Sequence, residues 1–207
     1  MKGLIIKDIL NLKKTLRATL LTLILFAIFA YSTGDPGYII GMVVMIFTMM
    51  SVTSMSYDEA IKWDRYALSM PISRKDMVVS KYILSTLLSM ISIAISTTIA
   101  YFLILPKSQM SGLDLLLTSY IMFGSSILFI SAMLPLIYKF GVEKMRLFMV
   151  VIVGIPVAIV VFLTKMGMAK PDEEQMMMLL KLSPLILLIG LVISMSISCI
   201  IYENKEI

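Results

Sequence analysis

Residues Leu182–Tyr202 read LSPLILLIGLVISMSISCIIY, with no Asp, Glu, Lys or Arg anywhere in the run. About 20 predominantly apolar residues in a helix cross the hydrocarbon of a bilayer, so this run has the length and chemistry of a membrane span. Working outward, five more runs have the same character: Leu16–Thr33, Tyr38–Ser56, Tyr82–Leu105, Leu115–Tyr138 and Leu147–Thr164. None carries an ionisable residue near its centre. The whole chain agrees: 59% of its 207 residues are apolar and 15% charged, against roughly 45–50% and 25% in soluble domains. The expected fold is an all-α integral membrane protein of six transmembrane helices, forming one domain over residues 1–207. The spans use most of that length and leave no room for a soluble domain.

A net charge of +5 is a weak argument for nucleic acid, because the basic residues lie between apolar runs, where they serve as anchors. No histidine occurs, and Cys199 is the only cysteine. Disulfides within the chain and zinc clusters are excluded, and Cys199 reads as a small packing residue.

A basic start followed by an apolar run also describes a signal peptide. Here the apolar run is longer than such a segment needs, and Ala27 and Ala30 have the wrong spacing for cleavage. A retained span is expected. Orientation follows from lysine and arginine. With the N-terminus inside, the inner segments hold Lys2, Lys7, Lys13, Lys14, Arg17, Lys62, Arg65, Arg74, Lys75, Lys81, Lys139, Lys144, Arg146 and Lys205. The outer segments hold Lys107, Lys165, Lys170 and Lys181, so 14 of the 18 basic residues are inside. Both termini are expected in the cytoplasm of a cell bounded by this membrane.

The outer connections are a tight turn over Ser32–Gly37, with Asp35-Pro36-Gly37 at its centre, a short link Pro106–Asp114, and a longer segment Lys165–Lys181. In the last, Pro171 and the acids after it suit a helix start, and Met176–Leu180 is too short to span. A short outer interfacial helix before the sixth span is expected there.

On the inner side, Leu4, Ile5, Ile6, Ile9, Leu10 and Leu12 partly follow helical spacing among Lys2, Lys7, Asp8, Asn11, Lys13 and Lys14. Residues 1–14 are therefore expected to form an amphipathic helix on the membrane surface, its lysines meeting anionic lipid; a disordered basic tail is the alternative. The longest inner loop covers residues 57–76 and holds the only tryptophan. Asp58 is placed to cap a short helix running to about Arg65, and Glu59 to favour its dipole. Ile61, Trp63, Tyr66 and Leu68 give it contact surface, and Pro71 ends it. Ser73 caps the third span, with Asp76 at the capping-box position. Exposed Trp, Tyr and Arg suit a protein contact; Trp63 and Tyr66 as interfacial lipid anchors are the alternative.

Inside the spans, Ser85, Ser89, Ser92, Ser96 and Ala100 form one small, polar stripe, suiting a translocation path or close helix packing. Gly154 and Pro156 should kink or break the fifth span, as a hinge or as a passive bend. Twenty methionines suit an adaptable apolar path or lipid-facing filler.

The inner loop carries a resemblance. Asp58-Glu59, then Trp63-Asp64-Arg65-Tyr66, then Leu68-Ser69-Met70-Pro71-Ile72-Ser73-Arg74-Lys75 and Lys81-Tyr82 resemble the ABC-2 type permeases, the six-span subunits of bacterial ABC exporters. The basic N-terminal helix and the six-span layout extend the likeness over the chain. Within the family it is most similar to small permeases that export cytolytic, phenol-soluble-modulin-like peptides. The resemblance implies that two copies pair, each engaging one copy of a cognate ABC ATPase that binds ATP and Mg. Asp58, Glu59, Lys62, Trp63, Asp64, Arg65 and Tyr66 would form the coupling helix, and residues 1–14 the connecting helix.

No Gly-x-x-x-x-Gly-Lys-Ser/Thr phosphate loop occurs in the sequence, so no cofactor is expected on this chain and ATP hydrolysis is expected on a partner. Serine–histidine and histidine–metal proteases are excluded by the missing histidine. Ion-coupled carriers keep an acid inside the membrane, and these span centres have none. The substrate-binding membrane subunit of a vitamin-type importer is the alternative reading, and a membrane scaffold a third. Co-purification of an ATPase separates the first two from the scaffold.

Overall fold

Glycine, proline and short polar caps set the helix ends in the computed structural model, which describes residues 2–108, 110–165 and 173–205. Helix α1 covers Lys2–Leu12 and passes through a 3-10 turn, Lys13–Thr15, into α2, Leu16–Thr33. Gly34 ends α2 in the left-handed region (φ 72°), where glycine carries no Cβ penalty. Asp35 then caps α3, Pro36–Ala60, its carboxylate accepting from Gly37 N at 2.8 Å. Proline at the first helical position lacks only a hydrogen that would have had no partner. The short α4, Trp63–Ala67, follows Lys62 in the left-handed conformation (φ 51°). Ser73 accepts from Asp76 N at 3.1 Å and opens α5, Arg74–Ile99, which continues through a π-turn, Ala100–Ile104, to Lys107. A Ser111/Asp114 capping box opens α6, Gly112–Phe140. After Gly141 come α7, Val142–Lys165, and α8, Glu173–Glu203. No strand occurs among the described residues.

Five helical runs among the described residues are long and apolar enough to cross a membrane: Gly3–Thr33, Pro36–Ala60, Arg74–Lys107, Gly112–Phe140 and Leu180–Glu203. Helices α3, α5, α6 and α8 pack on one another, α2 lies against α3, α7 lies mainly against α6, and α1 lies across α3 and α5. The outer faces are apolar: Leu21, Leu25, Phe102, Leu147 and Leu188 are all more than three-fifths exposed. A soluble protein rarely shows contiguous apolar patches of such extent.

Two internal prolines show how the interior is satisfied. Pro135 in α6 leaves the carbonyl of Ser131 without its helical donor, and Ser194 of α8 donates to that oxygen at 2.6 Å. Pro184 in α8 frees the carbonyl of Leu180, and Ser183 donates to it at 2.8 Å. Where water is absent, such side-chain repairs allow proline within a long helix. Tyr82 of α5 joins the first repair, lying 2.6 Å from Ser194 and 2.8 Å from Ser198. Because the one hydrogen of Ser194 goes to Ser131, the Tyr82 hydroxyl donates to Ser194 and accepts from Ser198. That chain ties α5, α6 and α8 together.

The outer interfacial helix expected before the last span is not a separate element. Residues 173–180 are the first turns of α8, because Glu, Gln, Met and Leu favour helix and no breaker stands before Pro184. Pro171 and Asp172 lie outside the described residues.

Candidate functional site at the basic end

Four charged side chains from three separate stretches of sequence meet at one end of the bundle. Lys81 of α5 donates to Asp8 Oδ1 of α1 and to Ser54 Oγ of α3, both at 2.9 Å, and lies 2.5 Å from Asp58 Oδ2. Lys7 donates to the other oxygen of Asp58 at 2.6 Å and lies 3.1 Å from Asp8. Asp8, Asp58 and Lys81 are buried, at 1%, 7% and 8% exposure. Isolated charges at such depth are costly. Two lysines against two aspartates cancel, and the bridging geometry gives each ammonium two carboxylates. The cluster fastens α1 to the ends of α3 and α5. A cavity of about 60 Å³ adjoins it, bounded by Trp63, Tyr138 and Tyr202 as well as by the four charges.

This arrangement corrects two expectations and adds to a third. Asp58 does not cap the loop helix: α3 runs on to Ala60, and Lys7 and Lys81 claim its carboxylate. Glu59 does not serve the loop helix either. It accepts from Val142 N at 2.8 Å and so caps α7. The loop helix shrinks to Trp63–Ala67, without a side-chain cap at its start. Helix α1, finally, presents a mixed face to the bundle, with Leu4, Asp8 and Leu12 all buried. Lys7 and Asp8 turn into the protein, while Ile6, Ile9 and Leu10 are more than half exposed.

Gly141 stands between Glu59 and Val142 at φ +82°. A Cβ there would lie 2.8 Å from Glu59 Oε1. The Gly141→Ala variant is therefore expected to lose about 1–3 kcal/mol through backbone strain alone, with further loss if Glu59 is displaced from Val142. A lowered thermal midpoint of the purified protein measures this; an unchanged midpoint means that the turn can relax.

The remaining loop residues divide into an inner and an outer set. Trp63 is half-buried, with Lys7 Nζ 4.3 Å from its ring centre, a cation–π contact. Tyr66 stacks at a tilt on Trp63, ring centres 5.3 Å apart, yet is 57% exposed. Lys62 and Arg65 are exposed and Asp64 half-buried. The structure thus holds Trp63 to Tyr66 on one short helix, buries Asp58 in the charge cluster, and sets the exposed Glu59 against the start of α7. Arg74 donates to the carbonyls of Tyr202, Glu203 and Lys205 at 3.1, 2.6 and 3.0 Å, closing the C-terminal end of α8, where cations are favoured.

Ser85, Ser89, Ser92 and Ser96 are all buried within the protomer, and each hydroxyl donates to a carbonyl of its own helix. They lie on one face of α5 but apart from the loop. The helix α7 runs without interruption past Gly154 and Pro156.

Sequence reasoning missed Lys7, Asp8, Lys81 and Arg74 as site residues. Their signal was faint: Asp8 is the one acid in an otherwise apolar and basic segment, and Lys81 stands beside a long apolar run.

Long apolar-faced helices fastened at one end by buried charges define a multi-pass membrane protein. The sequence pattern of the family described as "ABC-2 family transporter protein" matches residues 3–203, and the chain belongs to that family, whose members are membrane subunits of transporters with the ATPase on a separate protein. A search of curated proteins and one of solved structures find no match.

Proposed function

We propose that this chain is the permease subunit of an ATP-driven exporter in the plasma membrane, with six spans, α7 supplying the fifth in chain order and completing the set, and with both termini in the cytoplasm. The observation that carries this reading is the family match over residues 3–203. The orientation rests on 14 of 18 basic residues lying in segments placed inside. Contacts of Lys7 with Asp58, Lys81 with Asp8, Val142 with Glu59 and Arg74 with Tyr202 join those segments at one end. Two copies pair, and each engages one copy of a cognate ATPase, which supplies ATP and Mg, through the exposed face of α4.

The substrates are amphipathic or apolar molecules, with short cytolytic or antimicrobial peptides as the class favoured by spans without fixed charge at their centres. The serine stripe of α5 is enclosed in the protomer, so Ser85, Ser89, Ser92 and Ser96 line a path only if α5 parts from its neighbours during the cycle. Gly154 and Pro156 are assigned as the hinge of α7.

The test is reconstitution with the cognate ATPase in vesicles. ATP-dependent movement of an amphipathic peptide, with ATP hydrolysis stimulated by that peptide, is the expected result. High-affinity uptake of a vitamin with no peptide movement would overturn it. Orientation is read separately, from an impermeant thiol reagent in a Cys199→Ser background: a cysteine at Gly34 is expected to label from outside and one at Lys144 not to.

A further inference from the structure

Beside the bundle, a groove of about 440 Å³ runs between α2 and α3, with Thr19, Thr22 and Phe26 on one wall and Met42, Met45 and Met49 on the other. Its threonines present methyl groups, because each hydroxyl donates into its own helix: Thr19 to Thr15 O at 3.1 Å, Thr22 to Thr19 O at 2.8 Å and Thr53 to Met49 O at 3.0 Å. The groove is therefore a slot of methyls and thioethers that offers a polar ligand no free donor.

Its length is informative. From Thr15 to Phe26 the helix rises about 16 Å at 1.5 Å per residue, close to half of the roughly 30 Å hydrocarbon core. The groove starts at the basic end and stops near the midplane, which is the reach of an acyl chain from one leaflet. At the mouth, Lys13, Lys14 and Arg17 are exposed beside the lining residues Thr15 and Ala18. No Asp or Glu occurs between residues 9 and 34, and no described carboxylate pairs with any of the three cations. Lys7, the other nearby cation, is already neutralised by Asp58 and Asp8.

We infer that the α2–α3 groove binds an anionic phospholipid of the inner leaflet, one acyl chain lying in the slot and the phosphate against Lys13, Lys14 and Arg17. The unpaired cations at the mouth commit the site to this occupant, since they favour a headgroup of net negative charge over a zwitterion. The leaflet rests on the orientation proposed above, whereas the lipid preference does not.

The experiment places a fluorescent reporter in the slot of the full chain: Phe26→Trp with Trp63→Phe, and Met45→Trp with Trp63→Phe as a second reporter should the first fail to fold. Vesicles of phosphatidylcholine receive equal fractions of either phosphatidylglycerol or phosphatidylcholine carrying brominated acyl chains. Brominated phosphatidylglycerol is expected to quench with roughly fivefold higher apparent affinity, the effect of about one net phosphate contact. Adding Lys13→Gln, Lys14→Gln and Arg17→Gln is expected to abolish that preference. Equal quenching by both lipids, or a preference that survives the triple change, would overturn the site. Quenching by neither lipid would also overturn it, by showing that acyl chains do not enter the groove. Thiol labelling at Gly34 reports the leaflet independently, so a reversed orientation and an absent lipid site are distinguishable.

Discussion

Lys81→Met is expected to destabilise the protein by about 3–5 kcal/mol, the cost of leaving a buried charge without its partner. In the wild type, Lys81 neutralises Asp8 and Asp58 together and also donates to Ser54. Methionine keeps most of the volume but leaves two aspartates, at 1% and 7% exposure, facing one remaining lysine. Adding Asp8→Leu removes the excess charge and leaves Lys7 and Asp58 as a pair at 2.6 Å. An ion pair replaced by apolar groups of similar size is often neutral, so the double variant is expected to recover most of the loss. Thermal midpoints of the purified wild type, single and double variants measure both effects. A double variant as unstable as the single would show that the Lys81 contacts, rather than charge balance, carry the stability. ATPase retention by the double variant then reports whether the position of α1 matters to the partner.

Five of the spans were legible because lipid exposure imposes a simple rule: long runs without charge. Leu16–Thr33, the turn at Asp35-Pro36 and the cap at Ser73 follow from local chemistry, and the helices start and stop there. The four-charge cluster was not legible. Its partners are 51 and 73 residues apart, and an isolated Lys7 or Asp8 on a basic segment looks like an ordinary solvated residue. The same blindness hid Asp8 on the inner face of α1 beside Leu4 and Leu12, since surface spacing says nothing about a cation waiting on another helix. Glu59 was misassigned for a related reason: two helix starts competed for one carboxylate, and the glycine turn at 141 brought the distant one within 2.8 Å. The interfacial helix failed differently, because a run too short to span alone, Met176–Leu180, is simply the start of a longer helix.

Tyr66→Ala is expected to lower the association of the cognate ATPase by about 30- to 900-fold, corresponding to the 2–4 kcal/mol of a central aromatic anchor. The choice of Tyr66 over Trp63 follows from burial. Trp63 is half-buried against Lys7 and Tyr66, whereas Tyr66 and its neighbour Ile61 are 57% and 65% exposed, with Arg65 beside them. A docking partner therefore meets Tyr66, Ile61 and Arg65 first. Trp63→Ala removes an inner support: it takes the ring from under Lys7 and opens the wall of the cavity by the charge cluster. Its expected effect is a lower thermal midpoint, with weakened ATPase retention as a consequence of a displaced α4. Tyr66→Ala, by contrast, is expected to leave the midpoint unchanged while retention falls. Lys107→Ala is the control. Lys107 sits at the opposite end with its ammonium 3.7 Å from the Tyr31 ring centre, and its loss is expected to leave retention intact. Measured together on the three variants, retention and thermal midpoint separate docking from support, and full retention by Tyr66→Ala would remove α4 from the interface.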